Sequence, residues 1–307
     1  MDLSQLRYVV EVATTSSFTR AAERCFVTQS ALSHQIAALE RELGQRLFVR
    51  SSRSVRETEA GTAFVARARE ALRAIDSAKE DAAATAGHVV GTLRLGVIPT
   101  VTAIDVPAVL ARFRADHPSA RVELRVGNSE ALAVDVRAGD LDVAFLGLRE
   151  DSMPRGVSTR EIGRDRLVAA VPPTHVLAGR SDIALSDLAG LTFADFPAGT
   201  SGRAQSDVAF AAAGVERDVA FEADSAELLI GLVAADLAVS LLAPAVLEGR
   251  HRDVIAVPIR QGPVRIEYVA WDADAPRSVA RAFLRVVEAA ASTQRGGPGK
   301  APGPASQ

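Results

Sequence analysis

Apolar positions along this chain keep two rhythms, a helical one up to about residue 88 and a strand-and-helix alternation after Gly91. An amphipathic helix begins at once in Met1-Asp2-Leu3-Ser4-Gln5. A second enters at Phe18-Thr19 and runs through Arg20-Ala21-Ala22-Glu23-Arg24-Cys25. Val27-Thr28 breaks it, because a Thr side-chain oxygen can satisfy a free backbone N–H of the helix that follows. That next helix has apolar residues at Ala31, Leu32, Ile36, Leu39 and Leu43, a helical period that leaves one face polar. From Ala60 to about His88 one long helix carries Phe64, Ala68, Leu72, Ile75, Ala78 and Ala82 at three- and four-residue steps, the seam of a coiled coil, and stops at Ala86-Gly87. A lone helix of this length with one narrow apolar stripe needs a partner. A second copy of the chain, seated on Phe64, Ala68, Leu72 and Ile75, is expected; packing against its own N-terminal segment is the alternative.

Beyond Gly91, Thr92 to Ile98 reads as a strand, Pro107 to Ala115 as a helix, Arg121 to Val126 as a strand, Ser129 to Ala138 as a helix and Leu141 to Leu146 as a buried strand. This order predicts a mainly parallel sheet with helices on both faces. A second such unit spans about Asp165 to Val257, with strands near Leu167–Val171, Thr192–Asp195, Val219–Phe221 and Ala238–Leu242. Ile266 to Trp271 is a further strand and Ser278 to Ala289 a helix that returns to the first unit. Pro and Gly dominate Gly296 to Pro304, a tail without core-forming residues.

A length of 307 residues implies two to three compact units, and 48% hydrophobic residues suffice for sizeable cores. There is no apolar run of the roughly 18 residues that a membrane span requires. The N-terminus lacks the pattern of a signal peptide, so a cytoplasmic location is expected. A net charge of −3 does not announce a nucleic-acid binder, but its distribution does: Arg41 to Arg56 carries five Arg against Glu42, a local net of +4. This run directly follows the helix whose polar face begins with Thr28, Gln29, Ser30, Ser33 and His34, side chains short or planar enough to read base edges in a major groove. A basic hairpin there would lie along phosphates or in a minor groove. Cys25 is the only cysteine, so a disulfide within one chain is excluded and a packed thiol is expected. The five His residues share no metal-ligand spacing. No Gly-rich phosphate loop appears, and Gly199-Thr200-Ser201-Gly202 lacks the nucleophile-elbow form. Neither catalysis nor a cofactor or metal is expected.

Ala21-Ala22-Glu23, Val27 to Ser33, Gln35-Ile36, Leu39-Glu40, Leu43-Gly44, Leu47-Phe48 and Arg50 together resemble the LysR-type transcriptional regulators. Looser matches extend the likeness to about residue 292: Gly96-Val97-Ile98-Pro99-Thr100, Phe113-Arg114 with Pro118, and Gly139 to Ala144. The resemblance implies an α/β protein whose α-rich winged helix-turn-helix (1–58) precedes a linker and dimerisation helix (59–88). A two-lobed effector domain like a type 2 periplasmic binding protein follows (91–292), with lobe I at about 91–164 and 266–292, lobe II at about 165–265, and 293–307 as a flexible tail. It implies a double-stranded DNA operator as partner, Arg50 and Arg53 on its backbone or minor groove, and a homodimer or homotetramer. It also implies a small-molecule effector in the inter-lobe cleft, at Pro99, Thr100, Thr102 and Asn128 of lobe I and Gly199, Thr200, Ser201 and Ser225 of lobe II. Each of these groups lies between a predicted strand and a helix, where free N–H groups and the helix dipole favour an anion. Arg203 would pair with that anion or face solvent. Three departures from the family pattern stand out: Cys25 and Glu57 where Leu is usual, and Asp236 where Gly is common. A cytoplasmic solute-binding protein or enzyme on the same two-lobed fold is the alternative. The helix-turn-helix, the wing and the missing export signal weigh against it.

Overall fold

A computed structural model of the chain describes residues 1–50, 55–249, 252–273 and 276–295, in two compact units, Met1–Gly87 and His88–Gln307. The first unit opens with α1 (Leu3–Thr15), α2 (Phe18–Arg24) and α3 (Gln29–Leu43), each started by a side chain that accepts a first-turn N–H. Asp2 accepts from Gln5, which returns the bond to the Asp2 N–H; Ser17 accepts from Arg20; Thr28 accepts from Ala31. Leu32, Ile36 and Leu39 of α3 are buried with Val9, Val12, Phe18 and Ala21. Ala31 and Leu43, expected on the same stripe, are exposed. Cys25 caps α2 rather than extending it, and it packs at the edge of this core.

The strands β1 (Phe48–Arg50) and β2 (Val55–Glu57) pair antiparallel, Phe48 opposite Glu57 and Arg50 opposite Val55, to form the wing. Glu40 of α3 accepts the N–H groups of Leu47 and Phe48 and so sets where the wing leaves the helix. Thr58 starts α4 (Glu59–Thr85) and also ties to the strand side, its N–H donating to Leu47 O and its hydroxyl to Arg46 O. Gly61 permits this closeness: a Cβ there would stand 2.0 Å from the Leu47 carbonyl oxygen. The apolar stripe of α4 divides. Ala68 is buried and Phe64 is half-buried, and Phe64 packs with Val65 on the unit's own core, which realises the alternative for that end. Leu72 and Ile75 lie further along, outside that cluster.

The second unit begins with β3 (Gly91–Val97), α5 (Val106–Asp116), β4 (Ala120–Val126), α6 (Ser129–Ala138) and β5 (Val143–Leu148). Next come β6 (Ser158–Arg166), β7 (Val168–Val171), β8 (Thr192–Asp195), α7 (Ser201–Ala212) and β9 (Asp218–Glu222). It ends with α8 (Ala226–Ala234), β10 (Ser240–Leu242), β11 (Ile255–Pro258), β12 (Val264–Trp271) and α9 (Ser278–Arg295). Lobe I is a five-stranded sheet in the order β4-β3-β5-β12-β6. Period-two alternation splits its core: Leu93, Leu95 and Phe145 meet Phe113 of α5 and Phe283 of α9, while Ala144 and Leu146 meet Leu132 and Val136 of α6. α9 thus returns to lobe I as expected. Lobe II holds β10-β7-β11 and the pair β8-β9.

Two expectations are corrected here. β3 runs parallel to β4 and β5 as expected, but the five-stranded sheet is mixed, with β12 antiparallel to β5 and β6, and in the three-stranded sheet β7 runs antiparallel to β10 and β11. The polar-looking β6 (STREIGRDR) was not predicted; it is an edge strand of lobe I with few residues to bury. At Asp236, where the family resemblance implied Gly, the backbone takes a conformation that Gly favours. Its φ is +59°, and its N–H bonds Val233 O while the Leu237 N–H bonds Leu232 O, a left-handed helix stop that a short Asp tolerates.

Candidate functional site

Two places gather functional chemistry, one in each unit. In the first, Thr28, Gln29, Ser30 and His34 are exposed on the first turns of α3, and Ser33 is half-buried beside them. The Gln29 amide donates to Ser33 Oγ at 2.8 Å, and Thr28 and Ser30 hydroxyls lie 3.1 Å apart. These groups are thus held on one another in a single polar patch. Ser33 and His34 also line a shallow groove with Ala37, Arg46 and Val49, between α3 and the wing. Arg50 sits at the end of β1. Its side chain and the whole of Arg53 lie outside the described residues.

In the second unit a cavity of about 230 Å³ lies between the lobes. Lobe I contributes Pro99 and Thr100 after β3, Gly127 and Asn128 after β4, and Arg265 of β12. Lobe II contributes Phe196, Pro197 and Thr200 before α7, Gly202 and Gln205 on it, and Asp224 before α8. Of the eight residues expected around an effector, Pro99, Thr100, Asn128 and Thr200 line this cavity, whereas Thr102, Gly199, Ser201 and Ser225 do not. Thr102 is engaged elsewhere: its N–H and hydroxyl both donate to the buried Glu267 carboxylate. Gly199 supplies a left-handed turn at φ +82°, and Ser225 caps α8 through the Leu228 N–H. The Ser201 hydroxyl donates to Glu130 of α6, a bond that runs from one lobe to the other.

Several of the expected polar atoms are already engaged. Asn128 Oδ1 caps α6 by accepting from Ala131, and the Thr200 hydroxyl donates to Pro197 O. Arg203 is largely buried and is held by Asp207 at 3.0 Å and Glu222 at 2.8 Å. The residues that sequence reading missed are Arg265 and Gln205. Arg265 is 4% exposed; it donates to Thr100 Oγ1 at 2.8 Å and to Thr102 Oγ1 at 3.1 Å, and it pairs with Glu267. Its Nε and the Nε2 of buried Gln205 are buried without a hydrogen-bond partner. An unmet buried donor is costly, and both belong to residues that line the cavity. No local motif could have flagged them: Arg265 is 165 residues from Thr100, and Gln205 lies mid-helix.

Behind the lobe II wall, Asp195 is buried and accepts from Arg217 at 2.6 Å and from the Phe196 N–H at 2.7 Å. Burial pushes its carboxyl up, opposed chiefly by the Arg217 charge. Burial, with help from Glu11, pushes the Cys25 thiol up as well, which keeps it from ionising readily. Among the described residues no group of three or more His, Cys, Asp or Glu could hold a metal, and no helix is long and apolar enough to cross a membrane.

Comparison with known proteins bears on both units. Residues 3–62 match the family model "Bacterial regulatory helix-turn-helix protein, lysR family", and residues 86–292 match "LysR substrate binding domain". The DNA-binding transcriptional dual regulator OxyR of Escherichia coli (strain K12) is 33% identical over 260 residues, covering 84% of this chain and 85% of OxyR. Full-length OxyR from Pseudomonas aeruginosa superposes with a TM-score of 0.72 at 26% identity, over 95% of this chain and 98% of that one. Full-length CbnR complexed with its target DNA gives 0.67 at 26%, over 94% and 100%. A polar-faced helix with its wing, a two-lobed cleft domain and these matches across nearly the whole chain establish that this protein belongs to the LysR family of DNA-binding transcriptional regulators and is not an enzyme.

Proposed function

We propose that the chain is a ligand-responsive regulator in which α3 reads an operator and the inter-lobe cleft takes a small effector. Gln29, Ser30, Ser33 and His34 face base edges, Thr28 starts the reading helix, and Arg50 and Arg53 hold phosphates or the minor groove. Two such heads in a homodimer, or four in a homotetramer, meet a multi-half-site operator, with Leu72 and Ile75 of α4 available to a second copy. The observation that carries the effector reading is the pair of unmet buried donors, Arg265 Nε from lobe I and Gln205 Nε2 from lobe II, around one cavity. An effector with acceptor oxygens at both ends would satisfy both and draw the lobes together, in line with the Ser201–Glu130 bond. Glu267 already balances the Arg265 charge, so acceptor geometry rather than net negative charge is the requirement. Lobe closure would then alter the spacing of the reading heads.

Cys25 is the only cysteine, so the trigger is binding rather than an intrachain disulfide. The test is binding of the purified full chain to its own upstream intergenic duplex and to a random duplex, over a range of salt. Preference for the first, with a steep salt slope, is expected. Equal affinity for both at every salt concentration would overturn the reading of α3.

A further inference from the structure

Phe26 is 95% exposed, in the turn between α2 and α3, and its backbone has φ +56°. The turn is a helix stop in which the Phe26 N–H donates to Glu23 O at 3.1 Å and the Val27 N–H donates to Ala22 O at 3.0 Å. That pattern places Phe26 at the left-handed position, where Gly is favoured and a bulky side chain is strained. The hydrophobic contact such a stop usually makes falls to the next residue, and Val27 packs on the core with Cys25 on the other side of Phe26. The Phe26 ring therefore adds nothing to the folded unit, and a Gly would suit the backbone better. The ring also stands two residues ahead of Thr28, at the same tip as the exposed Gln29 and Ser30.

Resting on the operator-reading role of α3, we propose that Phe26 is a DNA contact of the reading head. Its ring packs on the hydrocarbon surface of a nucleotide beside the one that Gln29 meets. Phe against a thymine methyl is a known base-edge contact, and the face of a deoxyribose offers the same apolar chemistry. Continuity with the polar tip of α3 favours DNA over a second protein copy as the occupant. The strain is then the cost of holding an aromatic side chain forward, where only bound DNA covers it.

The experiment uses the purified full chain with Phe26→Ala, Phe26→Gly and Gln29→Ala. The probes are its own upstream duplex, a random duplex, and the first duplex with single thymines replaced by deoxyuridine. Burial of most of an aromatic ring predicts that Phe26→Ala weakens binding about tenfold. Phe26→Gly is expected to unfold at a higher temperature than the wild type and still lose the same affinity, which a purely structural role would not produce. If deoxyuridine at one position per half-site weakens the wild type but not Phe26→Ala, the contact is a thymine methyl. If both duplexes lose affinity alike with no deoxyuridine effect, it is deoxyribose. Undiminished binding by Phe26→Ala or Phe26→Gly, or a change in sedimentation without a change in DNA affinity, overturns the proposal. Loss in Gln29→Ala with none in Phe26→Ala would sink this inference alone; a wild type that shows no preference would sink the operator reading itself.

Discussion

Replacing Arg217 by Met should cost the second unit about 3–5 kcal/mol at neutral pH, because it strands a buried charge. Asp195 and Arg217 side chains are 1% and 5% exposed, and their N–O distance is 2.6 Å. The guanidinium also lies over the rings of Phe193 and Phe210, at 5.5 and 5.2 Å from the centroids. Met keeps the apolar stem between those rings, so the loss reports mainly on charge. In the variant, burial, the Phe196 N–H and the smaller pull of the Arg203 charge are left to set the Asp195 carboxyl, and burial, already the larger influence, raises it further. The sign follows from linkage. A carboxyl that titrates higher folded than unfolded carries no penalty below the unfolded pKa of about 3.9, where it is protonated in both states. The penalty grows as pH rises through the folded value and then levels off. The deficit against wild type should therefore be largest at pH 7 and shrink toward pH 4. Urea denaturation at both pH values, followed by circular dichroism and by fluorescence of Trp271, measures it; Trp271 is the only Trp and lies in β12. Adding Asp195→Asn to the variant should recover most of the loss at neutral pH. A deficit of equal size at both pH values, unrelieved by Asp195→Asn, would show that packing and not the stranded carboxylate is responsible.

Gln29→Ala should weaken operator binding by about 1–3 kcal/mol while sparing random duplex. Arg53→Ala should weaken both and lower the salt slope by about one, read from the same titrations. Gly61→Ala should unfold the first unit at a clearly lower temperature by differential scanning calorimetry, since its Cβ would stand 2.0 Å from Leu47 O and overpacking of this kind costs about 1–3 kcal/mol. Gln205→Leu fills the same place without its donor, so it should leave effector-free DNA affinity unchanged and blunt the effector response. Full retention of that response would remove Gln205 from the site.

Elements governed by short-range rules were legible in the sequence. The cap read at Thr28 stands where the pattern breaks and closes a bond three residues on; Thr58, Asn128 and Thr200, not read as caps, obey the same local rule. The helix expected over Ser129–Ala138 has those bounds. The divided stripe of α4 was harder. Phe64 has the spacing of a seam residue whether a second chain or α1 and its neighbours cover it, and periodicity alone cannot name the partner. The edge strand β6 escaped because its pattern is polar on both sides.

The cleft shows the same boundary more sharply. Thr100, Asn128 and Thr200, which the family resemblance implied and which turn chemistry favours between strand and helix, do line the cavity. Thr102, Ser201 and Ser225 have that signature too, yet other partners consume them: distant Glu267 takes Thr102, distant Glu130 takes Ser201, and the adjoining first turn of α8 takes Ser225. Arg265 and Gln205 carry no local signature and reach the cleft only through the antiparallel β12 and the face α7 turns inward. By itself the sequence determined the helix-turn-helix, the wing, the order of most elements and the single thiol, because caps, periods and counts act within a few residues of chain. Only the tertiary structure decided which polar atoms stay unmet, because satisfaction of a buried donor depends on partners brought together from up to 165 residues away.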